Sequence, residues 1–319
     1  MSVRVLQEGV PWYPGCRMQF LAVVNPAAGG GRCGKEYPDA IKRLEDAGLE
    51  VEVATTSGPG EATEIVRKAY AEGQRRFLAV GGDGTGYELV NGMFPAALEG
   101  DGDPPQLGFL PLGTGNSFLR DFMDAGDKDG ASHALGALLE RRTRTVDVIR
   151  IEHDQGENFY INLFAIGFAA DVNSRAARYK NWGEFGYIGS VIAETLGLAP
   201  HSYPRREDDG EWNKTPAAFI SICNSKFTGG TMMMAPDADT GDGRVDVIHV
   251  GAMGRIGLLR AFPKIFEGKH LELDVVHASQ TKRVEFDLPG PTNIMLDGEA
   301  LYVQPKVIEV LPSALQVYA

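Results

Sequence analysis

The sequence predicts an α/β N-terminal domain with a mostly parallel sheet, followed by a β-rich second domain of antiparallel, sandwich-like strands. Three observations carry this expectation. In the first half, short apolar runs alternate with segments of helical spacing, as strands joined by helical crossovers do. Those runs end in clusters of glycine and other small residues, at what would be the carboxyl edge of a parallel sheet, where ligands bind. Beyond Thr145, short β-like runs follow one another between turn residues. Residues 1–17 read as an N-terminal extension, 18–144 as the first domain and 145–304 as the second. Residues 305–319 are assigned as a segment free to return to the first.

Taken in order, 18–24 is a continuous apolar run, the pattern of a buried strand. It ends in the glycine loop Asn25-Pro26-Ala27-Ala28-Gly29-Gly30-Gly31-Arg32. A helix is expected over 37–47, with Ile41 and Leu44 at helical spacing and Gly48 as its stop. Residues 49–54 alternate as a strand, 55–60 turn, and 61–71 read as a helix. The strand 77–80 enters Gly81-Gly82-Asp83-Gly84-Thr85, and a helix-like segment follows from Glu88. A strand at 107–110 ends in Pro111-Leu112-Gly113-Thr114-Gly115-Asn116-Ser117, with a helix-start signal at Asn116 or Ser117. A helix at 131–140 and the basic cluster Arg141, Arg142 and Arg144 close the first domain. In the second, β-like runs fall at 146–151, 159–164, 217–222, 245–250 and 283–286, with helical interruptions at 172–180, 187–196 and 254–266.

Bulk properties exclude some classes. Acids outnumber bases 43 to 31, so a net charge of −12 argues against a general nucleic-acid binder. Attachment to an anionic membrane would need a local basic patch. Cys16, Cys33 and Cys223 are far apart and show neither a disulfide framework nor zinc spacing, which suits a reducing cytosol. No apolar run reaches the length of a membrane span, and no signal sequence is read at the N-terminus.

The central turn has the composition of a phosphate cradle. Its glycines let a ligand approach the main chain, and the N–H groups at a helix start attract phosphate. Asp83 inside it makes sense beside phosphates when a cation or a Lys/Arg lies between; a glycine turn capped by an Asp is the plainer reading. The first loop offers two further matches. Gly29 to Lys35 fits GxxxxGK, but Glu36 replaces the Mg²⁺-binding hydroxyl. The same residues fit GxGxxG, with Glu52 about where a ribose-binding acid would fall. Neither accounts for the other loops.

Four motifs in this order, Asn25-Pro26-x-x-Gly29, Gly81-Gly82-Asp83-Gly84-Thr85, Pro111-Leu112-Gly113-Thr114-Gly115-Asn116 and Leu296-Asp297-Gly298-Glu299, resemble the diacylglycerol-kinase-like lipid kinases. That superfamily includes soluble bacterial diacylglycerol kinases and the sphingosine and ceramide kinases, with NAD kinases as distant relatives. The resemblance runs from about Phe20 to Val317. It implies that ATP is held by Asn25, Pro26, Gly29, Thr56, Gly81, Gly82, Asp83, Gly84, Thr85, Glu88, Gly113, Thr114 and Asn116, with Arg32 near the phosphates. It implies that Asp297 takes the proton from a lipid hydroxyl while Glu299 supports the base or the nucleotide, family assignments of the base being divided between these two acids, and that Asp83 helps ATP-bound Mg²⁺. Read alone, Asp-Gly is a hairpin turn. The loop Asp239-Thr240-Gly241-Asp242-Gly243-Arg244 resembles a structural Mg²⁺ site, Asp242 ligating by side chain and Asp239 and Arg244 by carbonyl. Gly241 and Arg244 depart from the family pattern there, and a plain acidic turn is the other reading.

The resemblance implies a lipid acceptor at a membrane surface, a cytoplasmic enzyme that attaches peripherally, and no nucleic-acid partner; a homodimer is allowed for. Diacylglycerol is the first expectation for the acceptor. Ser117, where soluble bacterial diacylglycerol kinases commonly have Asp, brings in a sphingosine- or ceramide-type acceptor; an NAD-kinase-like enzyme and a non-catalytic module follow. Tyr179, Trp182, Phe185, Tyr187 and Ile188 with Met232-Met233-Met234 are read as an apolar slot or as core packing, and Arg141, Arg142, Arg144, Arg205 and Arg206 as contacts to anionic lipid or as a solvated basic turn.

Overall fold

The computed structural model describes residues 19–99, 102–123, 130–167, 170 and 200–319. The expected extension at 1–17, the helices at 172–180 and 187–196, and the slot residues Tyr179, Trp182, Phe185, Tyr187 and Ile188 lie outside them. The chain divides into two units, one ending at Val146 and taking up Ser313–Ala319, the other spanning Asp147–Pro312.

In the first unit the order is β1 (Gln19–Val24), α1 (Arg32–Asp46), β2 (Glu50–Thr55), α2 (Glu61–Ala71), β3 (Arg76–Gly81), α3 (Asp83–Met93), β4 (Gln106–Pro111) and α4 (Gly130–Glu140). The strands pair in parallel in the order β2-β1-β3-β4, and Gln316 and Val317 from the chain's end add a further parallel pairing beside β4. Burial explains the pattern: Phe20 to Val24 and Phe77 to Val80 are buried without a break, because helices cover both faces. α1 turns Cys33, Ile41 and Leu44 inward, and α2 turns Ala62, Val66 and Tyr70.

Two helices begin earlier than the sequence suggests. α1 starts at Arg32 rather than 37, with Pro38 inside it. Proline usually marks a first helical turn, which is why the periodicity misleads here. α3 starts at Asp83 rather than Glu88, so Gly-Asp-Gly-Thr is the helix's own first turn. Gly82 is its extended N-cap, and Asp83 complements the positive end of the helix.

The second unit continues with β5 (Thr143–His153), β6 (Gly156–Tyr160), β7 (Leu163–Gly167), β8 (His201–Ser202), β9 (Arg205–Glu207), β10 (Pro216–Cys223), β11 (Phe227–Thr228), β12 (Met232–Met233), β13 (Val245–Gly251), α5 (Arg255–Ala261), β14 (Val276–Thr281), β15 (Arg283–Phe286), β16 (Thr292–Leu296), β17 (Glu299–Val303) and β18 (Pro305–Tyr318). One antiparallel sheet runs β14-β13-β10-β7-β16-β17. A second group contains β9, β15, β18, β5 and β6. The groups face one another as a sandwich: Phe164 of β7 meets Phe286 of β15, ring centroids 5.7 Å apart.

Arg205 bridges the same two layers and corrects its expected role as a lipid contact. It is 3% exposed, pairs with Glu207, and donates to His249 Nδ1 at 3.1 Å. Arg206 is likewise committed, to Glu285 and the face of Trp212. Met232 and Met234 belong to the core beside Ile248 and Met295, not to a slot.

Asp147 anchors the loop that precedes β13. It is fully buried, its N–H donates to Thr240 O at 2.7 Å, and its Oδ2 accepts from Gly243 N–H at 2.7 Å. Replacing it leaves the half-buried Gly243 N–H without that acceptor. Asp147→Ala is therefore expected to lower unfolding free energy by about 1–3 kcal/mol in urea denaturation, with Asp147→Asn milder.

Candidate active site

The loops after β1, β2, β3 and β4 all leave the sheet at one edge, because parallel strands end on the same side. The loops after β3 and β4 touch backbone to backbone. Gly113 N–H donates to Gly81 O at 2.7 Å, and a Cβ on Gly113 would lie 2.3 Å from Gly82 Cα. No side chain fits there. Gly29 is equally constrained: its φ is +61° and a Cβ would meet Leu112 O at 2.7 Å.

Side chains then tie the loops together. Asp83 accepts from Ser117 N–H at 3.0 Å and also from the Ser117 hydroxyl and the N–H groups of Phe118 and Asn116. Burial raises its carboxyl above the ordinary carboxylate value, and these donors pull the other way. Asp83 thus caps the 3-10 turn Phe118–Phe122, a role that Asn116 or Ser117 was expected to fill with its own side chain. Asn116, at φ +51°, donates instead to Pro111 O and Gly113 O. Arg32, at the start of α1, reaches Gly113 O with Nη2 at 2.8 Å and lies 3.8 Å from Glu36.

The remaining cradle residues divide between framework and free groups. Asn25 Oδ1 accepts from Ala27 N–H, Pro26 O accepts from Gly34 N–H, and Thr56 donates to Val24 O through both N–H and hydroxyl. Gly84 lies in the first turn of α3. Thr85 is 5% exposed and its hydroxyl has no partner among the described residues. Thr114 is exposed at its loop. Glu88, expected at the nucleotide, has Oε1 accepting from Gly60 N–H and Oε2 from Ala62 N–H, each at 3.0 Å. Through these bonds Glu88 caps α2, whose own N-cap is a glycine.

In the second unit, β16 and β17 form a hairpin whose turn is Asp297-Gly298, with φ of +49° and +92°. Asp297 is 5% exposed. Its Oδ2 accepts from Ile161 N–H at 3.0 Å, and Oδ1 from Asn162 and Leu163 N–H at 2.9 Å each. The buried Asn224 holds that loop from its other side, donating to Ile161 O and Asp147 O. Glu299 is exposed. The hairpin reading and the Asp-Gly-Glu motif therefore coincide in the same residues.

In the acidic loop, Asp239 Oδ1 accepts from Gly241 N–H and Asp242 Oδ1 from Arg244 N–H. Asp246 behind it is held at about 6, first by burial and then by the charges of Asp242 and Asp237, with Gln280 opposing. Among the described residues no three acidic, histidine or cysteine side chains gather as a metal cluster. Any cation here would rest on one carboxylate, carbonyls and water, the set hard cations accept. Asp147 and Asn224, which position these loops, escaped the sequence reading. A polar residue inside the apolar run Val146-Asp147-Val148 was the available signal.

Residues 19–151 match the model of the diacylglycerol kinase catalytic domain, and 162–319 that of the YegS C-terminal NAD kinase beta sandwich-like domain. A Mycobacterium tuberculosis protein named "Diacylglycerol kinase" is 32% identical over 299 residues, 93% of each chain. A Chromohalobacter salexigens protein named "Probable lipid kinase YegS-like" is 30% identical, covering 88% of this chain and 87% of its own. The crystal structure of a diacylglycerol kinase from Bacillus anthracis superposes with a TM-score of 0.67 at 18% identity, over 95% of this chain and 96% of that one, and shares the fold.

Two expectations follow from this geometry. Gly113→Ala must push the two loops apart, so nucleotide affinity by titration calorimetry should fall about tenfold or more while the protein stays folded. Asp246 favours its protonated form when folded, so the stability it contributes is full below its ordinary 3.8 and is lost as pH rises through about 6. Asp246→Asn should match wild type near the low end of that window and gain up to about 2 kcal/mol above it, read by urea denaturation with chelator present.

Proposed function

The chain belongs to the diacylglycerol-kinase-like lipid kinase family, and from that premise we propose that it transfers the ATP γ-phosphate to the hydroxyl of diacylglycerol, forming phosphatidic acid. The observation that carries the reading is the match over 93% of both chains to a protein named diacylglycerol kinase. ATP is the phosphoryl donor that the family implies. In this reading the loops at Asn25, Thr56, Gly81 to Thr85 and Gly113 to Asn116 bind it. The N–H end of α3 and the Arg32 guanidinium face its phosphates. Asp83 keeps the Gly113 to Ser117 loop folded against α3, and the unpartnered Thr85 hydroxyl is a spare donor in that wall.

Mg²⁺ would neutralise charge on the nucleotide phosphates when bound. The family pattern implies a second, structural cation at the acidic loop, where Asp242 with the carbonyls of Asp239 and Arg244 would hold it. On the acceptor side the resemblance leaves the base open between two acids, and we assign it to Glu299. Asp297 already accepts three backbone N–H bonds and serves as the positioning residue of its turn. Glu299, exposed two residues later, is the acid open to take the acceptor's proton.

The departure at Ser117 lies on the phosphate side of the proposed site. Ser117 is 2% exposed and gives both its donors to Asp83, so an Asp there would change the phosphate-side loop. A lipid enzyme that attaches peripherally remains the reading; among the described residues no helix is long and apolar enough to cross a membrane.

The test is a panel of diacylglycerol, monoacylglycerol, phosphatidylglycerol, sphingosine and ceramide with labelled ATP and Mg²⁺. Diacylglycerol should label most strongly; a blank panel with ATP still bound would assign a binding module. Glu299→Ala should lower kcat by about 10²-fold or more with an unchanged melting temperature. Asp297→Ala should lose activity and stability together. A fully active Asp83→Ala or Glu299→Ala protein would remove that residue from the scheme.

A further inference from the structure

The segment after β13 carries two apolar stripes where a water-facing helix needs one. α5 runs on into a 3-10 segment, Phe262–Glu267. Leu258, Ala261 and Ile265, at i, i+3 and i+7, are buried, and Ile265 joins the core with Met234, Ile248 and Val276. That is the ordinary inward face. Ile256, Leu259 and Phe266, at i, i+3 and i+10, make a second stripe, 66%, 47% and 44% exposed. Phe266 stands edge-on to Phe262 with ring centroids 5.7 Å apart. Large apolar side chains gathered on one solvent face mark an interaction surface.

Charge identifies the partner. The chain as a whole carries −12, yet 252–268 holds Arg255, Arg260 and Lys264 against Glu267 alone. Glu267 is itself paired with Lys269 at 2.6 Å. Acids return at Glu272 and Asp274, past the helical segment. A second copy seated on this face about a two-fold axis would bring the same cations together. An anionic bilayer offers both halves of the match: headgroup phosphates for Arg260 and Lys264, and an acyl boundary for the apolar stripe.

We propose that the outward face of α5 and its 3-10 continuation is the surface by which this protein docks on an anionic bilayer, Ile256, Leu259 and Phe266 entering the interface and Arg260 and Lys264 meeting headgroups. The proposal rests on the lipid-kinase reading, since it names how the enzyme holds to the phase that contains its acceptor.

The experiment is vesicle flotation of the full chain, with vesicles of phosphatidylcholine alone or mixed with phosphatidylglycerol. Wild type should float only with the anionic vesicles and be released by high salt. Arg260→Glu/Lys264→Glu should weaken partition by about thirtyfold or more, and Leu259→Ser/Phe266→Ser by about tenfold, with melting temperatures near wild type. Wild-type failure to float, or wild-type partition by both variants, overturns the proposal. So does sedimentation showing a wild-type dimer that the Leu259/Phe266 pair converts to monomer, which gives the face to a second copy. A parallel assay with diacylglycerol in non-ionic micelles should find all three proteins equally active. No turnover by any of them overturns the lipid-kinase reading, while the vesicle results judge the face by themselves.

Discussion

The candidate nucleotide site depends on one contact, the meeting of the Gly81-Gly82 and Gly113 backbones. β3 and β4 are neighbouring parallel strands, so their outgoing loops start about 4.8 Å apart. The loops can stay that close only where neither carries a side chain at the crossing, and the 2.3 Å approach that a Cβ on Gly113 would make states the constraint in ångströms. Once they are joined, Asp83 in the first turn of α3 is within reach of Ser117, and Arg32 of Gly113 O. The cradle is therefore set by strand order and two glycines before any polar side chain is considered.

Around that contact the protein repeats one device. Asp83, Glu88, Asp147 and Asp297 each accept backbone N–H groups from a distant loop or helix start. Such groups cannot go unpaired when buried, and a carboxylate can satisfy several at once because it is acceptor-only. An acid beside a glycine turn thus has two physical uses, anchoring backbone or performing chemistry. Which one it has depends on whether its oxygens are already taken. By that criterion Asp83, Glu88 and Asp297 each anchor backbone, and Glu299 is the acid that the proposed scheme takes as available.

This distinction also marks what the sequence could disclose. The alternation of strand and helix, the parallel order of the first sheet and the glycine loops at its edge follow from local pattern, and their periodicity is visible in residues 18–111. Helix starts were less legible, since Pro38 and the glycines around Asp83 suggest loop where the chain is helical. Partners separated by long stretches of chain were not legible at all. Nothing near Asp297 announces residues 161–163, nothing near Arg205 announces His249, and Met232-Met233-Met234 reads alike as slot or core. Those outcomes are decided by tertiary packing, which a local window does not contain.

The exposed stripe on α5 bears on a tension in the composition. A chain of −12 should be repelled by an anionic surface, yet its proposed acceptor is a membrane lipid. Screening resolves the tension by distance. At physiological ionic strength the Debye length is about 8 Å, so charges on far parts of the molecule contribute little to the approach of one face. What a bilayer senses is the local sign, which over 252–268 is positive. Net charge can then keep the protein dispersed, while in the proposed docking a single short segment of opposite sign, with apolar side chains beside it, meets the lipid surface.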